Sequence, residues 1–495
     1  MGIASAGERP MAEIMRTSLR PMSSFGDVAA EEDSVLDYFL TTDAAKRLAR
    51  NEAFLVLGRK GSGKTALVRH FSEGAAVGLA KPLGLRGYPW TVHATRIDLG
   101  ASPIEAYVSS WRYLIAVQMA SLVLAAGYGS ASAEGAALAR FLEENYGGIT
   151  PEIAVILRPS ALKLSKLSFE PTVLGNKLGG IALERPNNSM GLELDALSQS
   201  ILKATLSLAT KAGIEALTLH FDELDQGLSQ LDDNRKIMLI GLILAARSIR
   251  LDARNEATRV NAVVYLRSDI WGQLEFSDKN KISQSLAINL EWSSQSLLEL
   301  INNRISAKLG DGVSWDNVID EGLIRGSQSK WSHVLARTFL RPRDVIKFLN
   351  AALAEAKKRA DEPLVFENRD IVGARDPFSI YLKQELDDEI LPHWSRWEEA
   401  LQACAAISTL TFERENFKAE YEKRKSSDNS VDSDNALRLL YQFSVIGYER
   451  RSGYGGSYWS FQYEDQQSGW DSSATRFKVH LGLKEFARLR EERQR

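Results

Sequence analysis

The sequence has very little of what marks an extracellular or metal-bound protein. Its 495 residues include one cysteine, Cys404, so no internal disulfide and no cysteine cluster for zinc can form. Cys404 lies in the apolar stretch LQACAAIS, which is typical of a buried core residue. The six histidines are scattered, without an HExxH motif or another metal-binding spacing. These absences favour a reducing compartment and exclude the common zinc enzymes.

The sequence also lacks a large excess of charge of one sign and long uninterrupted apolar runs. Sixty-one basic and sixty-four acidic residues give a net charge of -3, so no global field attracts the protein to nucleic acid or to a membrane. No run approaches the roughly 18 apolar residues that a membrane span needs. The opening MGIASAGERP also lacks the pattern of a signal peptide. We therefore expect a cytoplasmic protein that does not associate with membranes.

What the sequence does contain is a regular alternation of strand and helix patterns. Strands are predicted at AFLVLG, WTVHATRIDL, IEALTLHFDELD, VNAVVYLRSD and SLAINLEW, with helical patterns between most of them. Such alternation predicts an α/β fold, in which helices cover both faces of a parallel sheet. The length of the chain also indicates more than one domain.

Changes of pattern along the chain predict four regions. Residues 1–30 lack periodicity and are predicted to form a flexible N-terminal arm. Residues 31–310 form the predicted α/β core, with an irregular insertion, a hairpin or a flexible excursion, near 145–190. The helical pattern of 311–375 predicts a lid packed on the sheet. Three short helices and an aromatic hairpin within 376–495 predict a winged helix.

The stretch GRKGSGKT matches the P-loop pattern G-x-x-x-x-G-K-[ST] at every fixed position. Glycines allow backbone amides to surround a phosphate, and the following helix presents its positive end. Lys64 can reach the β and γ phosphates, and the Thr65 hydroxyl can bind Mg²⁺. The predicted ATP contacts come from the whole loop: Gly58, Arg59, Lys60, Gly61, Ser62, Gly63, Lys64, Thr65 and Ala66.

An acidic motif, LTLHFDELD, ends a later predicted strand. Asp222 at its carboxyl end can hold Mg²⁺ together with Thr65. Glu223 is placed to orient and deprotonate an attacking water. A strand that ends in solvated acids is the alternative, but the P-loop earlier in the chain favours a hydrolase site. A carboxylate beside the metal ligand also favours water over a small-molecule acceptor, and so argues against a nucleotide kinase.

Two arginines are candidates for contact with the γ-phosphate. Arg267 ends the strand VNAVVYL, at a position from which P-loop ATPases with an additional central strand sense this phosphate. A surface pair with Asp269 is the alternative. In FLRPRDVIKFLN, Pro342 can begin a helix and places Arg343 in its first turn, from which the guanidinium could reach a nucleotide. A structural ion pair with Asp344 or another acid is the alternative for Arg343.

With GRKGSGKT, HFDELD, LRSD and RPRD in this order, the chain resembles the AAA+ and STAND branches of the P-loop ATPases. GRKGSGKTAL with DELD, LRSDIW and FKVHLGL more narrowly resembles the bacterial FunZ-like ATPases, over most of the chain. The resemblance implies a sheet of strand order 5-1-4-3-2, a helical lid and a winged helix. It also implies that Arg267 senses the γ-phosphate and that His480 contacts the bound diphosphate. A core histidine in the last helix is the alternative for His480.

Several motifs depart from the STAND pattern, and these departures bear on function. The chain has RPRD where the NB-ARC group of STAND proteins has the motif GLPL, and VHL where that group has MHD. No LRR, WD40 or TPR array follows. A switch of this kind would therefore depend on a protein partner or on self-assembly. The leading prediction is a regulatory switch that binds and hydrolyses ATP with Mg²⁺, with bacterial conflict or phage defence as its setting.

The alternative prediction is a DNA-associated AAA+ ATPase, of the origin-recognition-loader or transposition-helper type, that binds duplex through the winged helix. Residues 395–495 contain sixteen basic and sixteen acidic residues. Domains that bind DNA normally carry a basic stripe, so the balanced charge of this segment argues against the alternative.

Overall fold

The computed structural model describes residues 15–74, 78–86, 88, 102–157, 190–224, 232–451, 456–464 and 469–491. The chain forms two compact units. We call Thr41–Glu291 the P-loop unit, and we call Met1–Leu40 together with Trp292–Arg495 the flanking unit. The P-loop unit therefore begins later and ends earlier in the sequence than the predicted core of residues 31–310.

A five-stranded parallel sheet lies at the centre of the P-loop unit. Its strands are β1 (Leu55–Gly58), β2 (Leu79–Gly84), β3 (Ala216–Asp222), β4 (Arg259–Arg267) and β5 (Ala287–Asn289). They are ordered β2-β3-β4-β1-β5, which is the predicted order 5-1-4-3-2 read from the other edge. Strands β1, β3 and β4 are almost wholly buried, which explains their continuous apolar sequences. The predicted P-loop α/β fold is confirmed.

Helices pack around this sheet. They are α1 (Asp43–Ala49), α2 (Lys64–Glu73), α3 (Pro103–Ala125), α4 (Ala133–Tyr146), α5 (Ile153–Leu157), α6 (Met190–Lys211), α7 (Asp233–Asp252), α8 (Ser268–Gln273) and α9 (Lys279–Ser285). Helix α3 packs against α6 and α7 and carries much of the apolar core of the unit.

Helix α3 has 23 residues and is apolar enough, by length and composition, to cross a membrane. However, 78% of its most apolar window is buried inside the protein. Trp111 of this helix donates from Nε1 to the Met238 carbonyl of α7 at 3.0 Å. This packing is that of a core helix.

The second described strand of the sheet has a sequence for which no strand is predicted. β2 has the sequence LAKPLG, whereas the predicted strand WTVHATRIDL lies outside the described residues. β2 pairs with β3 alone among the described strands, so Pro82 is tolerated at this edge because its missing N–H has no ladder partner there. The described part of the predicted insertion near 145–190 includes α5, and residues 158–189 lie outside the described residues.

The flanking unit combines helices with a small antiparallel sheet. Its helices are α10 (Ser294–Leu309), α11 (Lys330–Leu335), α12 (Pro342–Ala356), α13 (Asn368–Gly373), α14 (Arg375–Ile390), α15 (Trp397–Ile407), α16 (Arg414–Glu422) and α17 (Ser433–Gln442). Its strands β6 (Thr411–Glu413), β7 (Ile446–Arg451), β8 (Ser457–Ser460) and β9 (Arg476–Val479) are ordered β6-β9-β7-β8. Ser293 is the N-cap of α10, and its side chain accepts a hydrogen bond from the Ser296 amide.

Two regions of this unit carry the element types that the sequence predicts. Helices α11 and α12 lie within 311–375, the predicted helical lid. From α15 onward, three helices and an antiparallel sheet form the set of elements predicted for a winged helix.

The described N-terminal residues do not form a flexible arm. Leu19, Met22 and Phe25 are each no more than 1% exposed and belong to the core of the flanking unit. The Leu19 amide donates to the Leu364 carbonyl at 2.7 Å. The predicted arm is therefore wrong for residues 15–30, because three apolar side chains at a spacing of three residues pack into a core formed by distant parts of the chain.

A buried ion pair also holds this N-terminal segment. Arg304 of α10 donates to the Phe25 carbonyl at 2.7 Å and to an Asp33 carboxylate oxygen at 2.8 Å. Both charged side chains are about 5% exposed or less. Removal of one partner would leave the other charge buried without compensation.

Candidate nucleotide-binding site

The loop from Gly58 to Thr65 connects the carboxyl end of β1 to the start of α2. Gly61 and Gly63 adopt φ angles of 80° and 98°, in the left-handed region that glycine tolerates best. Gly63 is the N-cap of α2, so the first amides of this helix are available beside the loop. The loop therefore has the backbone conformation that surrounds a phosphate.

The structure brings the P-loop and the acidic strand end together. Thr65 Oγ1 donates to Asp222 Oδ2 at 2.8 Å, across 157 residues of sequence. Lys64 Nζ donates to the carbonyls of Gly58 and Arg59 at 3.1 and 3.2 Å, which holds the ammonium group over the loop. Three of the side chains predicted to act on phosphate and metal are thus neighbours.

The donor atoms at this place fit Mg²⁺. A hydroxyl and a carboxylate are the hard oxygen ligands that Mg²⁺ prefers, and the ion commonly takes its remaining ligands from phosphates and water. Among the described residues, no group of three or more histidine, cysteine or acidic side chains forms a separate metal cage. Thr65 and Asp222 are therefore the residues that would hold the ion.

Glu223 follows the buried strand in a strained backbone conformation. Its φ angle is 60°, which is uncommon for a residue other than glycine and is a feature of functional sites. The Leu85 amide donates to the Asp222 carbonyl at 3.0 Å and fixes the end of the strand. A Cβ atom on Gly84 would lie 3.0 Å from Glu223 Oε2. Glycine at position 84 therefore leaves space for this carboxylate.

Arg267 lies at the same edge of the sheet, because the parallel register of β1 and β4 pairs it with Gly58. Its guanidinium donates to both carboxylate oxygens of Asp269, at 2.9 and 2.7 Å. The ion pair proposed as the alternative for Arg267 is therefore present, within reach of the P-loop strand. The role of Arg267 as a phosphate sensor stays a prediction.

Arg343 belongs to the flanking unit, in the first turn of α12 as predicted. Its Nε atom donates to the Val28 carbonyl at 3.2 Å, and Nη1 donates to Glu385 at 3.2 Å. These contacts attach α12 to the N-terminal segment and to α14. Contact of Arg343 with a nucleotide stays a prediction.

His480 also belongs to the flanking unit and is 2% exposed. Its Nδ1 atom accepts from the Gly482 amide at 3.1 Å, and its ring centroid lies 4.6 Å from that of Phe339. The structure thus gives this histidine the packing role of a core residue. Its predicted contact with a bound diphosphate is not tested by these contacts.

A second histidine lies two residues before Asp222. His220 is 1% exposed, its Nδ1 atom lies 2.9 Å from the Tyr265 hydroxyl, and its ring stacks on Phe71 of α2. Burial lowers the pKa of His220 to about 4. Burial and the nearby charge of Asp222 raise the pKa of Tyr265. The pair is therefore neutral near pH 7 and supports the strand behind the site.

We expect acid to destabilise the P-loop unit through His220. Its pKa is 6.5 in the unfolded chain and about 4 in the folded one. Between these values the unfolded state binds a proton that the folded state excludes, so the free energy of unfolding falls as the pH decreases. The difference of about 2.5 units corresponds to at most about 3 kcal/mol. Urea unfolding at pH 7 and pH 4.5 should show a smaller pH dependence for His220→Gln than for the wild type, and equal dependence would contradict this assignment.

Comparisons with known proteins identify part of the chain. Residues 295–387 match the model of the FunZ-associated C-terminal helical domain. No curated protein matches the sequence. Solved structures with similarity include the ORC2 protein of Aeropyrum pernix in ADPNP–ADP complexes, at 13% identity over 90% of both chains with a TM-score of 0.39. They also include CDC6P from Pyrobaculum aerophilum, at 11% identity over 91% of this chain and 93% of that one, with a TM-score of 0.30.

The strand order of the sheet and the conformation of the loop establish the P-loop fold within this chain. The matched helical domain covers α10 to α13 and most of α14 in the flanking unit. The chain thus combines a P-loop unit with a helical region that matches the FunZ-associated model, and it resembles the FunZ-like P-loop ATPases.

Proposed function

We propose that the protein binds ATP with Mg²⁺, hydrolyses it and uses the change of nucleotide as a regulatory switch. The observation that supports this most directly is the 2.8 Å contact between Thr65 and Asp222. It joins the phosphate-binding loop to the acidic end of β3, next to Glu223. This combination of an oxygen pair for the metal and an adjacent carboxylate suits hydrolysis.

In the proposed reaction, the loop amides and Lys64 hold the β and γ phosphates. Thr65 and Asp222 would hold Mg²⁺, which would supply positive charge to the phosphate oxygens. Glu223 orients a water molecule and accepts its proton as the water oxygen bonds to the γ-phosphorus. The bond from the γ-phosphorus to the bridging oxygen breaks at the same time, so the products are ADP and inorganic phosphate.

Arg267 would add positive charge near the γ-phosphate, from a position level with Gly58. Asp269 acts in this proposal as a positioning residue, because its ion pair holds the guanidinium at the carboxyl edge of the sheet. Arg343 and His480 have their contacts within the flanking unit. The proposal therefore assigns hydrolysis to residues of the P-loop unit and leaves Arg343 and His480 as candidates for reading the nucleotide state.

The regulatory part of the proposal rests on the resemblance to FunZ-like ATPases and on the matched helical domain at 295–387. A switch of this kind acts through a protein partner or through self-assembly, in the setting of bacterial conflict that the resemblance implies. The nucleotide would favour one of two states by binding it more tightly.

The test measures nucleotide binding and the mass of the protein in solution. Calorimetry should show binding of ADP and of a non-hydrolysable ATP analogue, both lost in Lys64→Ala because the loop then lacks its cation. Lys203→Ala is the matched control, since this lysine is exposed on α6 and is not one of the predicted ATP contacts. Light scattering should show different masses with the two nucleotides. A constant mass would contradict the switch, and absence of binding would contradict the whole proposal.

The second candidate function is that of a DNA-associated ATPase. The observation that favours it is the set of three helices and an antiparallel sheet at the C-terminal end, in which β7 carries the exposed Arg450 and Arg451. Fluorescence anisotropy with a labelled duplex at low and physiological salt distinguishes the two functions. Salt-dependent binding that falls in Arg450→Ala would favour this candidate, whereas no binding at low salt would exclude it.

A further inference from the structure

The flanking unit contains an open cavity of roughly 420 Å³ that lies apart from the P-loop. One wall is the segment from Arg325 to Arg337, which contains α11. The other wall is one face of the antiparallel sheet formed by β6 to β9. Every lining residue belongs to the flanking unit. Its volume is within the range of pockets that hold small ligands.

The sheet wall of this cavity is cationic and aromatic. Side chains alternate between the two faces of a strand, so Arg476 and Lys478 of β9 share a face with Trp459 of β8. Phe412 and Phe477 point to the opposite face and are buried in the core. The Lys478 ammonium lies 5.6 Å from the centroid of the Trp459 ring, and within the described part of the chain it has no hydrogen bond or ion pair.

The opposite wall contains a buried guanidinium with unused donors. Arg337 is 2% exposed, and its Nε atom has no hydrogen-bond partner among the described residues. Its Nη1 atom donates to the His333 carbonyl at 3.4 Å, and the nearest carboxylate, that of Glu485, is 4.0 Å away. Buried cations are normally paired at shorter distance. An anion in the cavity would supply the missing acceptor.

A neutral histidine positions a further arginine beside this group. His333 Nδ1 donates to Gln328 Oε1 at 2.7 Å, and His333 Nε2 accepts from Arg375 Nε at 2.9 Å. Burial and the charges of the neighbouring arginines lower the pKa of His333 to about 3. Burial and Arg375 lower the pKa of Arg337 to about 10. Positive charge is therefore crowded at this wall.

The carboxylates that line the cavity already have partners. Glu491 pairs with Arg325 and Lys484. Glu449 accepts a hydrogen bond from Ser457 at 2.7 Å and lies 3.6 Å from Arg476. Glu491 attracts Arg337 and Lys478 electrostatically, but within the described residues neither cation makes an ion pair with a carboxylate that lines the cavity.

We propose that this cavity binds a phosphorylated ligand of mononucleotide size, with its phosphate between Arg337 and Lys478 and its base on the Trp459 ring. Guanidinium groups match phosphate geometry with paired hydrogen bonds, and an indole ring can stack on a base of any sequence. The Trp459 ring is half-buried, with Arg476 and Lys478 at 5.9 and 5.6 Å from its centroid, so a base stacked on it would lie beside both cations. The depth at which Arg337 is buried favours a small ligand over the backbone of a duplex. This site is independent of ATP hydrolysis at the P-loop, so each can fail without the other.

The experiment uses the full chain with Lys64→Ala, which removes phosphate binding at the P-loop. Titration calorimetry with each of the four common ribonucleoside 5′-monophosphates should show binding to one site. Lys478→Gln and Arg337→Gln should each weaken binding about tenfold or more, because each removes a charge-assisted contact. Lys418→Gln, an exposed lysine of α16 away from the cavity, should leave the affinity unchanged.

A third variant separates the contribution of the aromatic ring from that of the charges. Trp459→Ala should weaken mononucleotide binding but leave the affinity for inorganic phosphate, which separates stacking from charge. If Arg337→Gln does not fold, Lys478→Gln still tests the proposal, because Lys478 lies on the face of the sheet and not in the core. No binding of any mononucleotide at millimolar concentration would overturn the proposal. Binding of a duplex through these residues without mononucleotide binding would also overturn it.

Discussion

Glu223→Gln is expected to keep ATP binding and to reduce the rate of ATP hydrolysis by roughly 100-fold or more. The carboxamide keeps the size of the side chain at the end of β3, so the loop and the pair of Thr65 and Asp222 are undisturbed. It cannot accept the proton of the attacking water. Steady-state release of phosphate measures the rate, and calorimetry with a non-hydrolysable analogue measures the affinity.

The matched control is Glu215→Gln, immediately before the other end of β3, where the side chain is 72% exposed. The same chemical change at this place should leave both rate and affinity at the wild-type value. If Glu223→Gln hydrolyses ATP at the normal rate, Glu223 is not the base. If it no longer binds the analogue, its role is to shape the loop rather than to activate water.

Asp33→Ala is expected to lower the free energy of unfolding of the flanking unit by about 3–5 kcal/mol. Asp33 is 6% exposed and accepts hydrogen bonds from Arg304 at 2.8 Å and from the Tyr38 hydroxyl. The substitution leaves the Arg304 guanidinium buried beside a smaller, uncharged residue. It also removes one of the acceptors that connect the N-terminal segment to α10, besides the Phe25 carbonyl.

Urea unfolding followed by circular dichroism measures this loss. Asp37→Ala is the control, because Asp37 lies four residues later, in the short 3-10 helix Val35–Tyr38, and is exposed, so its removal should change stability by less than about 0.5 kcal/mol. A loss below about 1 kcal/mol in Asp33→Ala would mean that the N-terminal segment does not unfold together with the rest of the flanking unit.

The elements that the sequence predicts correctly have local signals. Glycines at fixed spacing predict the loop, and continuous apolar runs that end in polar residues predict β3 and β4. The position of Asp222 beside Thr65 follows, because parallel strands end at one edge of the sheet. Pro342 likewise predicts the start of α12.

The elements that it misses depend on contacts between distant residues. β2 contains Pro82 and alternates poorly, and it is a strand because it pairs with β3 at the edge of the sheet. The spacing of Leu19, Met22 and Phe25 is a weak helical signal in a polar segment, and its core partners lie hundreds of residues later.

The candidate site residues likewise include some with local partners, which the sequence predicts, and others with distant partners, which it does not. The sequence offers Asp269 as a partner for Arg267, and this pair is present because it is local. The partners of Arg343, Val28 and Glu385, are 315 and 42 residues away in the sequence and have no local signal. Nor does any residue type predict the left-handed backbone at Glu223, since tertiary contacts impose it.

The division of the flanking unit between the two ends of the chain sets an order of events during synthesis. The ribosome makes Leu19, Met22 and Phe25 first, but α10 and the helices that bury them emerge only after the whole P-loop unit. The described strands of the P-loop unit end at Asn289, so this unit can fold before the helices that bury the N-terminal segment have been synthesised. During that interval Leu19, Met22 and Phe25 lack the residues that bury them in the folded flanking unit.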